Sequence, residues 1–430
     1  MTTKEDIYRP LTLRTLMNYQ IQYLARKFEL SRESRVSELL VKRINAAIET
    51  AEAEVGIRRV MPFELYLQRK RKGMALPLFK PEYLEPIFKG ETFRQSRQLL
   101  EKECLKRLRK CCPKATMNEL LRVVYPWTLI RGNGPLSFAE TLLSEPREGE
   151  TKRQHDMLKT LKPPLPSQRM ETPDLSAPEP VVQKLTGMVN TEGGFGRTVA
   201  RRLVEEVITL RNLSCPRMDT LKSGQVPLLV THVRAHLSEE LATKYRRLAP
   251  IIVTLWDKDE LTEELPQIVP AFVKQLERRI IRVCFEAYRQ NGLLTLMDMQ
   301  WLFQMSASRI SEIIRAYQKK HKIVVPTPGT VLDAGRSMTH KDIIVRLHLE
   351  GYNVKEIAQK TYHSPRAVDS YIGTFESVLI LKLFKVPIEL ISRLLNKGIT
   401  LIREHISLID ELYTTEQDIK EYLLEKGVKI

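Results

Sequence analysis

The stretch that decides the fold reads Val354-Lys-Glu-Ile-Ala-Gln-Lys-Thr-Tyr-His-Ser-Pro-Arg-Ala-Val-Asp-Ser-Tyr-Ile-Gly-Thr-Phe375. Its apolar residues fall at helical spacing in two groups, which predicts two short helices joined by a turn at 361–363. Ser364 can cap the second helix, and Pro365 then occupies its first position, where a missing N–H costs nothing. A support helix over 341–349 precedes them, and the whole is typical of a helix-turn-helix. The inward positions are Val354, Ile357, Ala358, Val368, Ile372 and Phe375.

The same template fits twice more in the last third of the chain. Moving back 58 positions, or forward 34, keeps the inner positions apolar or aromatic and ends each turn in Ser or Gly. Three matches in register are stronger evidence than one, because any pair of packed helices resembles a single copy. The matching residues are Leu296, Met299, Phe303, Ser306, Ile310, Ile314 and Tyr317 in the first copy, and Ile388, Ile391, Leu395, Gly398, Ile402, Ile406 and Ile409 in the third.

The outward residues of each second helix are the candidate DNA-binding residues. Arginine can hold guanine with two hydrogen bonds, while serine and threonine can reach bases or phosphates. We expect the first two copies to read DNA and the third to pack or dimerise, with Arg403 as its one retained DNA-binding candidate. The candidates are Ser308, Arg309, Ser311, Glu312 and Arg315 in the first copy, and His363, Ser364, Arg366, Asp369 and Ser370 in the second.

The segment after the first copy, residues 318–332, predicts a basic helix end and a β-hairpin with its tip at 327–329. Such a hairpin would be a wing that brings Lys319, Lys320 and Lys322 near the phosphates. The alternative is a hairpin that only braces the helices.

Two resemblances extend this interpretation. The stretch Glu350-Gly-Tyr-Asn-Val-Lys-Glu-Ile-Ala-Gln-Lys-Thr361 resembles the helix-turn-helix of sigma-factor region four and of LuxR-type response regulators, although the usual Ser-x-x-Thr-Val core is replaced at 363–369. Residues 221–412 also resemble an uncharacterised prokaryotic family of unknown function, through Thr339-His-Lys341, Leu349-Glu-Gly-Tyr352 and the His-Ser-x-x-Ala-Val-Asp at 363–369. That resemblance implies DNA binding and an association with mobile elements, and it supplies no catalytic residue.

Composition and charge favour a polyanionic partner. The chain has 430 residues and a formal net charge of +17, from 69 Lys and Arg against 52 Asp and Glu. Five cysteines cannot form a disulfide framework, and the start lacks the apolar core of a signal peptide. No stretch reaches the roughly 18 apolar residues of a membrane span. We therefore expect a basic, reduced, cytoplasmic protein without a membrane partner.

The predicted fold class is mainly α with small β elements, in several domains. The helix at 34–44 aligns without gaps on 197–207, and a candidate strand follows each, which predicts a duplicated α/β unit in the N-terminal half. The best strand candidate is 250–256, and 272–288 is a strongly amphipathic helix. Predicted domains are 1–143, a proline-rich linker at 144–180, a second α/β unit at 181–270, a winged helix-turn-helix at 271–335, a second unit at 336–384 and a third at 385–430.

Taken together, these features predict a non-enzymatic protein that binds double-stranded DNA, either a transcriptional regulator or an accessory factor of a mobile element. A homodimer or a protein partner would use the N-terminal half. The pair His232 and His236 has the spacing of metal ligands on a helix but lies in a predicted strand, so no metal, cofactor or catalytic residue is assigned. Two alternatives stay open: a transposase, recombinase or replication initiator, and an RNA-binding or scaffold subunit of a ribonucleoprotein.

Overall fold

Apolar residues at helical spacing form helices over most of the chain, and the computed structural model is mainly α-helical with small antiparallel sheets, which confirms the predicted fold class. The structure describes residues 4–28, 35–69, 72–111, 179–235, 247–256, 269–321, 323–332 and 339–427. The chain divides into two compact units, residues 1–316 and 317–430. The predicted linker at 144–180 lies outside the described residues up to position 178, and the finer domain bounds stay predictions.

The first unit combines helices with two small sheets. Its helices are α1 (Lys4–Thr12), α2 (Leu16–Lys27), α3 (Arg35–Glu54), α4 (Glu85–Phe88), α5 (Phe93–Cys111), α6 (Glu179–Gly193), α7 (Arg197–Ser214), α8 (Val269–Arg289) and α9 (Leu296–Phe303). Its strands are β1 (Glu64–Arg69), β2 (Lys72–Pro77), β3 (Gln225–His232), β4 (Leu248–Thr254) and β5 (Gly292–Leu293). One sheet pairs β1 with β2, and the other has the order β4-β3-β5, with every pair antiparallel. The strand predicted at 250–256 and the helix predicted at 272–288 correspond to β4 and α8, within a few residues.

The two helices that align in the sequence share one apolar core. The aligned positions of α3 and α7 are buried, and each such side chain contributes about 1.5–3 kcal/mol by leaving water. An exception is Val199, which is 42% exposed although it aligns with an apolar position. The buried aligned pairs are Leu40 with Leu203, Val41 with Val204, and Ile44 with Val207.

In the first unit, several contacts made by elements of one half are repeated by the equivalent elements of the other half, as a duplication predicts. α3 contacts α6 while α7 contacts α2, and α5 lies on β2 while α8 lies on β4. Where the two halves meet, the Phe63 N–H donates to the Pro227 carbonyl at 2.9 Å, and the Gly224 N–H donates to the Tyr66 carbonyl at 2.8 Å. Phe63 and Gly224 each come directly before a strand, and Tyr66 and Pro227 are each the third residue of that strand. A twofold rotation that exchanges β1 with β3 would therefore also exchange these two hydrogen bonds. The contacts therefore agree with a duplicated helix-helix-strand-strand-helix unit.

The helix α9 is buried in the first unit. The Trp301 ring centroid lies 5.1 Å from that of Phe79 and 5.0 Å from that of Phe93. Arg14 forms an ion pair with Asp298, and the side chains are only 2% and 0% exposed. Asp298 also accepts the N–H of Thr295 at 2.7 Å, so one carboxylate both caps α9 and neutralises a buried arginine.

The second unit is helical throughout its described part. Helix α10 (Ala307–His321) crosses the division between the units. The remaining helices are α11 (Pro328–Val331), α12 (Thr339–Leu349), α13 (Val354–Thr361), α14 (Pro365–Leu383), α15 (Ile388–Leu394), α16 (Ile399–Leu412) and α17 (Glu416–Glu425).

The long helix α14 belongs to two successive cores. Its first half packs with α12 and α13 through Val368 and Ile372. Its second half packs with α15, α16 and α17 through Phe375 and Leu379. Because one unbroken helix crosses both cores, the helix pairs on either side of it are held in a fixed relation.

The hairpin wing predicted within 318–332 is wrong. The described residues 323–332 contain no strand, and a one-turn helix, α11, stands where the hairpin tip was expected. Prolines at 326 and 328 lack the N–H groups that a ladder needs. The neighbouring backbone groups are bound by side chains instead: Gln318 accepts the Val325 N–H at 2.8 Å, and Thr330 donates to the Val325 carbonyl at 2.8 Å.

Candidate nucleic-acid interface

Three helix pairs share one backbone connection in register. We call α9–α10 the first pair, α13–α14 the second pair and α15–α16 the third pair. Gln304, Tyr362 and Asn396 adopt left-handed φ values of 52°, 61° and 50°. The next N–H in each connection donates back to a carbonyl five residues earlier, at 3.2, 3.1 and 3.1 Å. This 6→1 bond is the Schellman closure of a helix, and it turns the chain sharply into the following helix.

The first and second pairs also share their caps, while the third differs. Thr295 with Asp298 and Asn353 with Glu356 form reciprocal capping boxes at the start of α9 and α13. In the third pair Pro387 stands at this place and offers no side-chain cap. The second helix is capped by Ser306 and Ser364 in the first two pairs and by Gly398 in the third.

The second pair exposes the first turns of α14. Ser364, Arg366, Asp369 and Ser370 are all exposed, as the outward positions were predicted to be. Arg366 makes no hydrogen bond or ion pair with any described residue, so its guanidinium is available to a ligand. Ser364 is already engaged, since its Oγ accepts the Ala367 N–H at 3.2 Å.

His363 is only half-buried and is partly engaged. Its Nδ1 lies 2.6 Å from the Thr361 carbonyl, and its ring meets the Tyr371 ring edge-on at 5.5 Å between centroids. These contacts orient the imidazole at the turn and engage it with the protein itself.

The first pair has an exposed second helix and a buried first helix. Ser308, Arg309, Glu312 and Arg315 of α10 are exposed and Ser311 is half-buried. The Arg315 Nε donates to the Ser311 carbonyl at 3.3 Å, which ties that side chain back to its own helix.

Lys319 and Lys320 at the end of α10 are exposed, whereas Lys322 lies outside the described residues. Lys319 lines a small pocket of the second unit together with Asp342 and Arg346. Burial raises the pKa of the Asp342 carboxyl, and the nearby charges of Arg346 and Lys319 act in the opposite direction. Lys319 therefore already faces a carboxylate within its own unit.

The third pair presents a mixed surface at the start of α16. Arg403 is exposed and has no hydrogen bond or ion pair with a described residue. Ile399 is 39% exposed in the same first turn, at the position that Pro365 occupies in the second pair. An exposed apolar residue at this end of the helix suits a protein contact better than a contact with a polar ligand.

Sequence reasoning missed three lysines that flank the second pair. Lys355 and Lys360 are exposed on α13, and the Lys360 Nζ lies 4.5 Å from the centre of the Tyr352 ring. Lys341 of α12 is half-buried, with its Nζ 5.5 Å from the centre of the Tyr371 ring. The signal was present for the two lysines of α13, because the inward apolar positions of that helix already put 355 and 360 outside its inner face.

The described part of the chain contains no cluster of side chains suited to metal binding. Within those ranges, no group of three or more His, Cys, Asp or Glu could hold a metal ion, and none of the helices has the length and apolarity that a membrane span requires. His232 lies in β3, where its Nδ1 accepts the Arg234 N–H at 2.9 Å, and His236 lies outside the described residues. Cys104, Cys215 and Cys284 are free and buried.

Comparisons with known proteins add a family. No curated protein matches the chain, and no solved structure matches it. A family model described as "Protein of unknown function (DUF1670)" matches residues 190–408, which is just over half of the chain and includes the first two helix pairs and the third up to residue 408. As the resemblance at 221–412 led us to expect, the chain belongs to this family of proteins of unknown function.

Proposed function

We propose that this protein binds double-stranded DNA through helix-turn-helix units formed by its helix pairs, with the second pair as the main reader of base sequence. The observation that carries the proposal is the exposed first two turns of α14, which follow directly on the closed connection at Tyr362. In helix-turn-helix proteins, the N-terminal residues of the second helix contact base edges in the major groove. A transcriptional regulator and an accessory factor of a mobile element would both use such a unit.

The residues in these turns match the chemistry of base edges. Arg366 can donate two hydrogen bonds to guanine, Asp369 can accept from the amino group of cytosine, and Ser370 can bond either kind of edge. Lys355 and Lys360 on α13 lie on exposed surface, where they can bind the phosphates that fix the position of a reading helix. The first pair supports the proposal through the exposed Arg309 and Arg315, and the third pair through Arg403 alone.

The test begins with selection of bound sites from a random duplex library, using the full chain. On the selected site, Arg366→Ala should cost about 1–3 kcal/mol, roughly a 5- to 150-fold loss of affinity, and relax the preference at one or two base pairs. Arg366→Lys should keep more affinity but lose the base preference, because an ammonium cannot form the two-pronged bond. Lys420→Ala is the matched control, since Lys420 is an exposed cation of α17 with no partner among the described residues.

Several results would contradict the proposal. They are a selection that enriches no sequence, and an Arg366→Ala variant that binds the selected site as the parent does. Structured RNA that displaces duplex DNA at equal concentration would favour the ribonucleoprotein alternative. Nicking or joining of the bound site with magnesium or manganese would favour the transposase, recombinase or replication-initiator alternative.

A further inference from the structure

The surplus positive charge lies mainly in the unit that does not contain α14. Residues 317–430 hold 17 Lys and Arg against 14 Asp and Glu, a net charge of +3, which leaves +14 of the total +17 in residues 1–316. Contacts with phosphates supply essentially all of the non-specific affinity of a DNA-binding protein. The first unit is therefore the place to look for a phosphate-binding surface.

The helix α5 carries such a surface. It has seven Lys and Arg and two Glu in 19 residues. Both glutamates are engaged by other cations: Glu101 pairs with Arg97 at 3.2 Å, and Glu103 pairs with Lys80 at 2.6 Å. Arg107 is also engaged, since it pairs with Glu64 at 3.2 Å and with Glu103 at 3.1 Å. The other α5 cations of known exposure form a row on the outer face, and none of them has a hydrogen bond or ion pair with a described residue. The row consists of Arg94, Lys102, Lys106 and Arg109, with the exposed Gln98 between the first two.

The C-terminal end of α5 points toward the end of the β1–β2 hairpin, and both ends are basic in sequence. The Cys104 thiol donates to the Pro77 carbonyl at 3.2 Å, and the Arg107 guanidinium donates to the Ala75 carbonyl at 3.0 Å. The helix thus advances along β2 toward the end of the β1–β2 hairpin, where Arg69 and Lys72 are the last pair of the register. From Arg94 to Arg109 the row is about 22 Å long, at ~1.5 Å per residue.

We propose that the outer face of α5 binds the phosphate backbone of duplex DNA without regard to base sequence. This second contact surface lies outside the residues matched by the family model, and it deepens the proposed DNA-binding function. The row contains no carboxylate that would repel phosphates. It also contains no aromatic side chain, and so it lacks the stacking platform with which proteins hold single-stranded nucleic acid.

The test is a salt titration of binding to a duplex of random sequence. A quadruple variant, Arg94→Gln, Lys102→Gln, Lys106→Gln and Arg109→Gln, should flatten the slope of log K against log salt by about 3.6, at about 0.9 for each lost phosphate contact. Its affinity near 0.1 M salt should fall more than 10-fold. A charge-conserving variant, Arg94→Lys, Lys102→Arg, Lys106→Arg and Arg109→Lys, should bind like the parent.

The control removes the same charge from the same unit. Lys42, Lys184, Arg197 and Arg202 are exposed cations with no partner among the described residues. Their quadruple glutamine variant should lower the slope much less than the α5 variant does, if position matters and not merely net charge. Equal effects of the two variants, or an unchanged slope in the α5 variant, would overturn the proposal.

Two further readouts separate this proposal from the first. The single variant Lys102→Gln, whose folding is the least at risk, should flatten the slope by about 0.9. Arg366→Ala should leave the slope on random duplex unchanged, because its contact is with a base. An α5 variant that binds like the parent while Arg366→Ala loses base preference would overturn the α5 surface only. An α5 variant that loses RNA binding but keeps duplex binding would overturn it as well.

Discussion

Replacing His405 with leucine should remove a loss of stability that the parent suffers between neutral and acidic pH. His405 is 1% exposed in the core formed by α14, α15, α16 and α17, near the Phe375 ring. Neither ring nitrogen has a hydrogen-bond partner among the described residues. Burial, with smaller contributions from the charges of Lys341 and Lys397, lowers the pKa of His405 from 6.5 to about 4.

The sign and size follow from the two pKa values. Because the pKa of the folded state lies below that of the unfolded state, the unfolded chain takes up the proton first as the pH falls. With respect to His405, the free energy of unfolding is therefore highest above about pH 6.5 and falls between about pH 6.5 and pH 4. Below about pH 4 this residue causes no further change. A shift of about 2.5 pH units at ~1.36 kcal/mol each gives about 3 kcal/mol.

The assay is hydrogen exchange of the α14 and α16 amides, corrected for intrinsic rates, at a series of pH values from 7.5 to 3.5. Other titrating groups are common to both proteins, so the quantity to compare is the difference in opening free energy between parent and His405→Leu. That difference should shift in favour of the variant by about 3 kcal/mol as the pH falls through this range. Parallel curves for the two proteins would refute the reasoning, since they would mean that the folded core accepts the proton as readily as the unfolded chain.

Two further predictions concern the frame that holds the helix pairs. Arg14→Ala should lower the free energy of unfolding of the first unit by about 3–5 kcal/mol, because it leaves the Asp298 carboxylate buried without its cation. Chemical unfolding followed by tryptophan fluorescence measures this, since all three tryptophans lie in residues 1–316, and a loss below about 1 kcal/mol would count against it. Asn396→Val should destabilise the third pair by about 1–2 kcal/mol because a β-branched residue is strained at positive φ, whereas Asn396→Gly should be neutral or slightly stabilising. Hydrogen exchange in α15 measures the difference, and equal effects of the two variants would contradict the strained backbone.

The second pair could be located from sequence because its signals are local. Ser364 and Pro365 each act within four residues of their own position, and the apolar spacing fixes the inner faces. The prediction of a hairpin at 318–332 was wrong for the opposite reason. Its backbone groups are bound by the side chains of Gln318 and Thr330, and β-propensity in the Ile-Val-Val run gives no sign of those bonds.

The first and second pairs show why a repeated template does not imply a repeated role. Their connections and capping boxes are the same, yet α9 is covered by the first unit through Trp301 and Asp298, while α13 exposes Lys355 and Lys360. The pattern that places the inner residues carries no information about what packs on the outer side of the first helix, because those contacts come from residues almost 300 positions earlier in the chain, such as Arg14. With its first helix fixed inside another core, the first pair can offer a groove only α10, whereas the second pair can offer a reading helix together with the phosphate contacts that align it. For this reason we propose that the second pair reads the bases, and we expect variants of α10 to weaken binding without changing the preferred sequence as strongly as Arg366→Ala does.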